Sequence, residues 1–207
     1  MKIKKLTVLL VSLLLLVSCS SLDNRAKFIR GTVDNNVYES RLASLRFSPG
    51  PSWEFASDDN VYAMNGIDRA SASNEEEAAE LLNERTTVYD MTAEDPATGT
   101  SVAVVFENMS LYVGGDETTV EEYLDKLKAG IEEMYSSYGV TVERGAAASL
   151  GDETFECLTA RLTVDSKEVV QRYYIRKTGS FFMSVSITAG DAVNVEEEIL
   201  PMFESVK

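Results

Sequence analysis

The chain has no histidine, only two cysteines, four prolines and one tryptophan in 207 residues. Without His there is no Ser–His–Asp or Cys–His nucleophile, no imidazole base, and no His-ligated zinc or iron. Cations are also scarce: 19 Lys and Arg stand against 34 Asp and Glu, a net charge of −15. A nucleic-acid binder needs a basic face, so no nucleic-acid partner is expected. Walker A, G-x-G-x-x-G, G-x-S-x-G and S-x-x-K patterns are missing, and no cofactor is expected. What is present is 44% apolar residues with nine Tyr and eight Phe, enough for one ordinary core.

The longest apolar run is at the N-terminus, where Lys2, Lys4 and Lys5 precede Leu6 to Val17. Twelve helical residues cover about 18 Å, well short of the roughly 30 Å hydrocarbon core, so the run reads as a signal segment and not a span. It ends in Leu16-Val17-Ser18-Cys19. This resembles the lipobox of bacterial lipoprotein signal peptides, which implies cleavage before Cys19 and a diacylglyceryl group on its thiol. The expected organisation is a signal peptide over 1–18, a lipidated Cys19 with a short tether over 19–30, and a single domain over 31–207. Without its three N-terminal lysines the chain carries 16 cations against 34 acids, a net −18. Anionic lipid therefore repels the domain while the acyl chains hold one end. Arg25, Lys27 and Arg30 make the tether locally basic. The expected location is the bacterial cell envelope: the outer face of the cytoplasmic membrane, or the outer membrane of a double-membrane host.

With Cys19 lipidated, Cys157 has no disulfide partner. It lies in Phe155-Glu156-Cys157-Leu158, a strand-like run, where a free Cys is expected to be a small core hydrophobe and not a nucleophile.

Periodicity divides the rest into helices and strands. Val120, Leu124, Leu127, Ile131, Met134 and Tyr138 recur on one helical face over 119–138, with Thr119-Val-Glu-Glu122 as a capping box and Gly139 as the stop. A second helix is expected over 74–84, capped from Ser73, with Ala78, Leu81 and Leu82 inward. A third is expected over 192–205, kinked or opened at Pro201. Alternation at Val102, Val104 and Phe106, at Leu158 to Val164, and at Phe181 to Ile187 marks strands, as does Val169 to Lys177. Turns at 95–99, 165–167 and 177–179 join neighbouring strands as hairpins, which makes them antiparallel. The expected fold class is α+β, an antiparallel sheet flanked by helices.

The stretch Tyr38…Leu45-Arg-Phe47-Ser-Pro49-Gly-Pro-Ser-Trp53 and the Thr119-x-Glu-Glu-Tyr-Leu124 helix resemble the PsbP-like (Mog-like) α/β/α sandwich of small lipoproteins. The resemblance covers about 30–205 by pattern and implies a domain that acts by binding other proteins. It transfers no contact residues.

Trp53 follows a rigid Ser-Pro-Gly-Pro-Ser turn. One reading makes it the floor of a ligand cleft shared with Phe55, Tyr62 and Met64. The other makes it a plug at the end of the sheet, and this second reading is preferred. Acidic clusters at 58–59, 75–77, 116–117, 121–122, 132–133 and 196–198 do not follow a calcium-loop pattern, and several complement helix N-termini, so no metal is expected. The functional expectation is a non-catalytic, membrane-anchored binding or accessory lipoprotein whose partner is an envelope protein or component. Two alternatives stand beside it: capture of a small solute or cation, and a carboxylate-based envelope hydrolase.

Overall fold

The computed structural model describes residues 26–69, 72, 74–164 and 167–206. The chain opens with four short strands, β1 (Thr32–Asp34), β2 (Val37–Ser40), β3 (Leu45–Phe47) and β4 (Glu54–Phe55). Helices α1 (Asp58–Met64) and α2 (Glu75–Asn83) follow, then the hairpin β5 (Thr87–Asp95) and β6 (Thr100–Asn108). Helix α3 (Val120–Met134) leads into four long strands: β7 (Thr141–Leu150), β8 (Glu153–Val164), β9 (Lys167–Thr178) and β10 (Phe181–Gly190). A single turn, α4 (Val195–Glu198), and a strand, β11 (Phe203–Ser205), close the chain.

Two antiparallel sheets result, and the fold is α+β. The larger has seven strands in the order β4-β5-β6-β10-β9-β8-β7, and the smaller runs β1-β2-β3-β11. Strand β10 is central because almost every residue of it is apolar or small, so both its faces can be covered. Its Phe181, Met183, Val185 and Ile187 join Val102, Val104 and Phe106 of β6 in one core. That core is closed by Tyr38, Leu45 and Phe47 of the small sheet, by Ala78 and Leu82 of α2, and by Val195, Ile199 and Phe203. The opposite face carries Leu158, Tyr173, Ile175 and Phe182, covered by Leu124 and Ile131 of α3. Each such side chain contributes about 1.5–3 kcal/mol on burial.

Helix α3 begins as its sequence implies. Thr119 accepts from the Glu122 N–H, and the Glu122 carboxylate accepts the Thr119 N–H at 2.9 Å, a complete capping box. The regular helix stops at Met134, however. Ser136–Tyr138 form a 3₁₀ turn, Gly139 takes a left-handed φ of 63°, and Tyr138 is exposed instead of inward. For α2 the cap is Asn74, which accepts from the Glu77 N–H, while Ser73 lies outside the described residues. Asp165 and Ser166 of the β8–β9 turn also lie outside them, but β8 and β9 pair antiparallel up to Val164 and Lys167.

The expected helix over 192–205 is corrected. Asn194 caps one turn, Leu200–Met202 is a 3₁₀ turn, and Phe203–Ser205 pairs with β3. Pro201 has no N–H to donate to the carbonyl four residues back, and its ring crowds that carbonyl, so the helix ends. Phe203 then packs on Phe47, with ring centroids 4.7 Å apart and the planes tilted by 32°. The face of the large sheet away from α3 is thus covered by a small sheet together with α1 and α2, not by helices alone. The folded part also includes residues assigned above to the tether: Phe28 is buried against Phe106 and Phe181, and its N–H donates to Asn83 at 2.6 Å.

Candidate functional site

The most unusual group is a carboxylate in the core. Strand β5 has a register break between Tyr89 and Met91, so Asp90 and Met91 both turn inward where alternation would admit one of them. Asp90 is buried, and both oxygens take hydrogen bonds from the protein: the Gly31 N–H at 2.9 and 3.1 Å and the Tyr38 hydroxyl at 2.5 Å. Burial pushes its pKa up to about 6, against the opposing pull of these two donors and of nearby Arg30. The Tyr38 hydroxyl is pushed well above its ordinary value by burial and by the Asp90 charge. Only glycine fits at position 31, because a Cβ there would lie 2.5 Å from the Tyr38 ring and 2.8 Å from the Glu39 carbonyl oxygen. The cluster fastens the N-terminal segment and the small sheet to the large one.

From Asp90 a line of charges runs outward. Arg30 lies over the Tyr62 ring at 5.1 Å and reaches Asp58 at 2.8 Å. Arg69 lies over the same ring at 5.6 Å and meets Asp59 at 3.1 Å. Ser57 accepts from the Asn60 N–H to start α1, which places Asp58 and Asp59 in its first turn, where they suit the helix dipole. Beside this arrangement opens a cleft of about 720 Å³ lined by Asp59, Ala63, Gly66, Ile67, Asp68 and Arg69. Its walls carry charges of both signs around a small apolar floor. Such a surface can recognise a polar or zwitterionic group. Among the described residues no group of three or more Cys, Asp or Glu could hold a metal ion.

The four candidate ligand-contact residues do not meet in that cleft. Trp53 is buried with its ring edge-on to Phe47 at 5.4 Å, and Phe55 packs on the same Phe47 at 6.1 Å. Tyr62 is buried beneath the two guanidinium groups, and half-exposed Met64 touches the Thr92 hydroxyl. Trp53 and Phe55 share the Phe47 cluster, while Tyr62 and Met64 sit on α1. Cys157 is buried opposite Gly145, and burial raises its thiol above the usual value. Cys19 lies outside the described residues.

Asp90 was not singled out from sequence, although a signal was there. Val88 and position 90 are in phase along the strand, so Asp90 falls on the core side of an otherwise apolar alternation. Arg30 had no such signal, since it reaches Tyr62 from 32 residues away, and Arg69 is returned to the same ring by the turn that follows α1.

No protein-family profile matches the chain, and no curated protein matches it. Several solved structures are similar in fold, three of them at 10–11% sequence identity. One is a Bacteroides thetaiotaomicron protein with 11% identity and a TM-score of 0.43, covering 83% of this chain and 48% of its own. This chain therefore spans about half of that one's length. Another is the solution structure of cyanobacterial PsbP from Synechocystis, with 10% identity and a TM-score of 0.46, covering 92% and 98%. A third is Mycobacterium tuberculosis LpqN, described as involved in cell envelope biogenesis, with 10% identity and a TM-score of 0.32, covering 71% of each chain.

Proposed function

We propose that this chain is an envelope lipoprotein, held to the membrane by lipid on Cys19, whose domain binds a protein or envelope component and catalyses no reaction. The observation that carries the reading is where the chemically distinctive groups lie. Among the described residues, the carboxyl raised to about 6 and the lone thiol are both enclosed in the core. Both oxygens of Asp90 are taken by Tyr38 and Gly31. The open cleft beside α1 is instead lined by charged residues of both signs, a surface for recognition. The lipobox Leu16-Val17-Ser18-Cys19 supports the anchor, and the strong acidic excess favours a partner with a basic face. The domain belongs, in this reading, to the PsbP-like binding domains that the Phe47 to Trp53 turn resembles.

The test is crosslinking in intact cells followed by identification of what co-purifies with the lipidated chain. A recurrent partner captured by the parent and weakened by Asp59→Lys, with folding intact, supports the reading. A carboxylate whose conversion to its amide abolishes a measured turnover in a folded protein replaces it with the hydrolase.

A further inference from the structure

We infer that the domain rests on the lipid surface through one defined face, formed by Lys27 and Ile29 on the outward side of the N-terminal segment and by the loop tip at Val113. The inference rests on lipid anchoring at Cys19 and adds an orientation to it.

Six residues separate Cys19 from Ala26, and a fully extended chain of that length reaches about 25 Å at most. The surface around Ala26 is therefore held close to the membrane. Ala26 is fastened there by its N–H to the Ser110 hydroxyl at 3.3 Å, and by its carbonyl, which accepts from the Asn108 amide at 3.3 Å. Burial alternates from this point: Phe28 is inside, while Lys27 and Ile29 face out, Ile29 with 65% of its surface exposed. Three residues beyond Ser110 stands Val113, 81% exposed. These two are the most exposed large hydrophobic residues among the described ones, and both lie within three residues of the Ala26–Ser110 contact.

The loop is held rigidly. Gly114 has a left-handed φ of 70°, and the Lys177 ammonium donates to the carbonyls of Asp116 and Thr118 at 2.5 and 2.9 Å. The Tyr112 hydroxyl donates to Glu107 at 3.0 Å. Val113 is thus presented at a fixed tip. The acidic excess, with Asp116 and Glu117 exposed nearby, opposes anionic lipid. The contact is therefore apolar insertion at the boundary of headgroups and acyl chains, and it fits zwitterionic lipid.

The test uses the full lipidated chain reconstituted into phosphatidylcholine vesicles, with single variants Val113→Trp, Ile29→Trp and, as a distant control, Tyr138→Trp. Tyr138 follows the far end of α3, a 15-residue helix about 22 Å long that starts just beyond the Val113 loop. Trp53 is buried and contributes the same background to all three. Indole emission at 113 and 29 should shift to shorter wavelength and be quenched by lipid brominated on its acyl chains, while emission at 138 should not. Equal quenching at 138 and 113, or quenching at none while the protein sediments with vesicles, overturns the face and leaves the anchor standing. A chain that carries no lipid by mass spectrometry and does not sediment overturns the anchor, and this face with it.

Discussion

Asp90 concentrates the residue-scale physics, because its raised pKa means that the folded state prefers the protonated form. Below the unfolded value near 3.8 both states hold the proton and the contribution is complete. As pH rises toward 6 the unfolded chain releases its proton first, so the folded state loses stability, by about 3 kcal/mol over the whole window. Asp90→Asn should remove this component. Denaturant titrations at several pH values should then show the parent's advantage over the variant shrinking between pH 4 and 6 and level above pH 7. Parallel curves would refute the assignment. Cys157 makes a simpler case. Its buried sulfur touches the Leu158 carbonyl at 3.6 Å, so Cys157→Ser should cost about 1 kcal/mol and leave partner capture unchanged. Loss of capture without loss of stability would make the thiol functional.

Among elements, the two chain ends carry more than their lengths suggest. Phe203 is buried on Phe47, which also meets Trp53 and Phe55, so three residues of β11 close the apolar cluster of the small sheet. Phe203→Ala should cost about 3–5 kcal/mol in thermal or chemical unfolding, far more than truncating a side chain on an exposed helix end. An effect under 1 kcal/mol would mean that the terminal strand is dispensable. Helix α3 depends on its cap: Thr119→Ala removes the hydroxyl that accepts from the Glu122 N–H and should cost about 1 kcal/mol. Hydrogen exchange should then quicken first at the Val120 end of the helix.

For the whole molecule, the acidic excess sets how it would meet the partner proposed above. Capture of a basic partner should weaken steadily as salt rises, and acid-to-amide changes around the cleft, Asp59 and Asp68, should weaken it gradually and additively. An abrupt loss from one such change, or indifference to salt, would contradict charge-guided recognition. Cys19→Ala should release the chain to the soluble fraction or leave it unprocessed. Cleavage with unaltered membrane fractionation would exclude the anchor.

Features that depend on neighbours along the chain are legible in the residues alone. The capping box at Thr119 and Glu122, the alternation in β6 and β10, and the hairpin turn at 95–99 arise from contacts a few residues long, which is why they were readable. Tertiary structure decided the rest. The helical spacing of Val195, Ile199, Met202 and Phe203 gave way because Pro201 cannot continue a helix and the free edge of β3 offered Phe203 a ladder and an aromatic contact. Phe28, read as tether, is core because α2 and β6 close over it from more than fifty residues away. Strand phase puts Asp90 on the core side, but its burial as a carboxyl rests on Gly31 and Tyr38, 59 and 52 residues distant, which bring it their donors. The cleft beside α1 likewise has no local signature. Its lining residues all fall between 59 and 69, but the turn after α1 that brings Arg69 back to Asp59 leaves no periodic pattern along the chain.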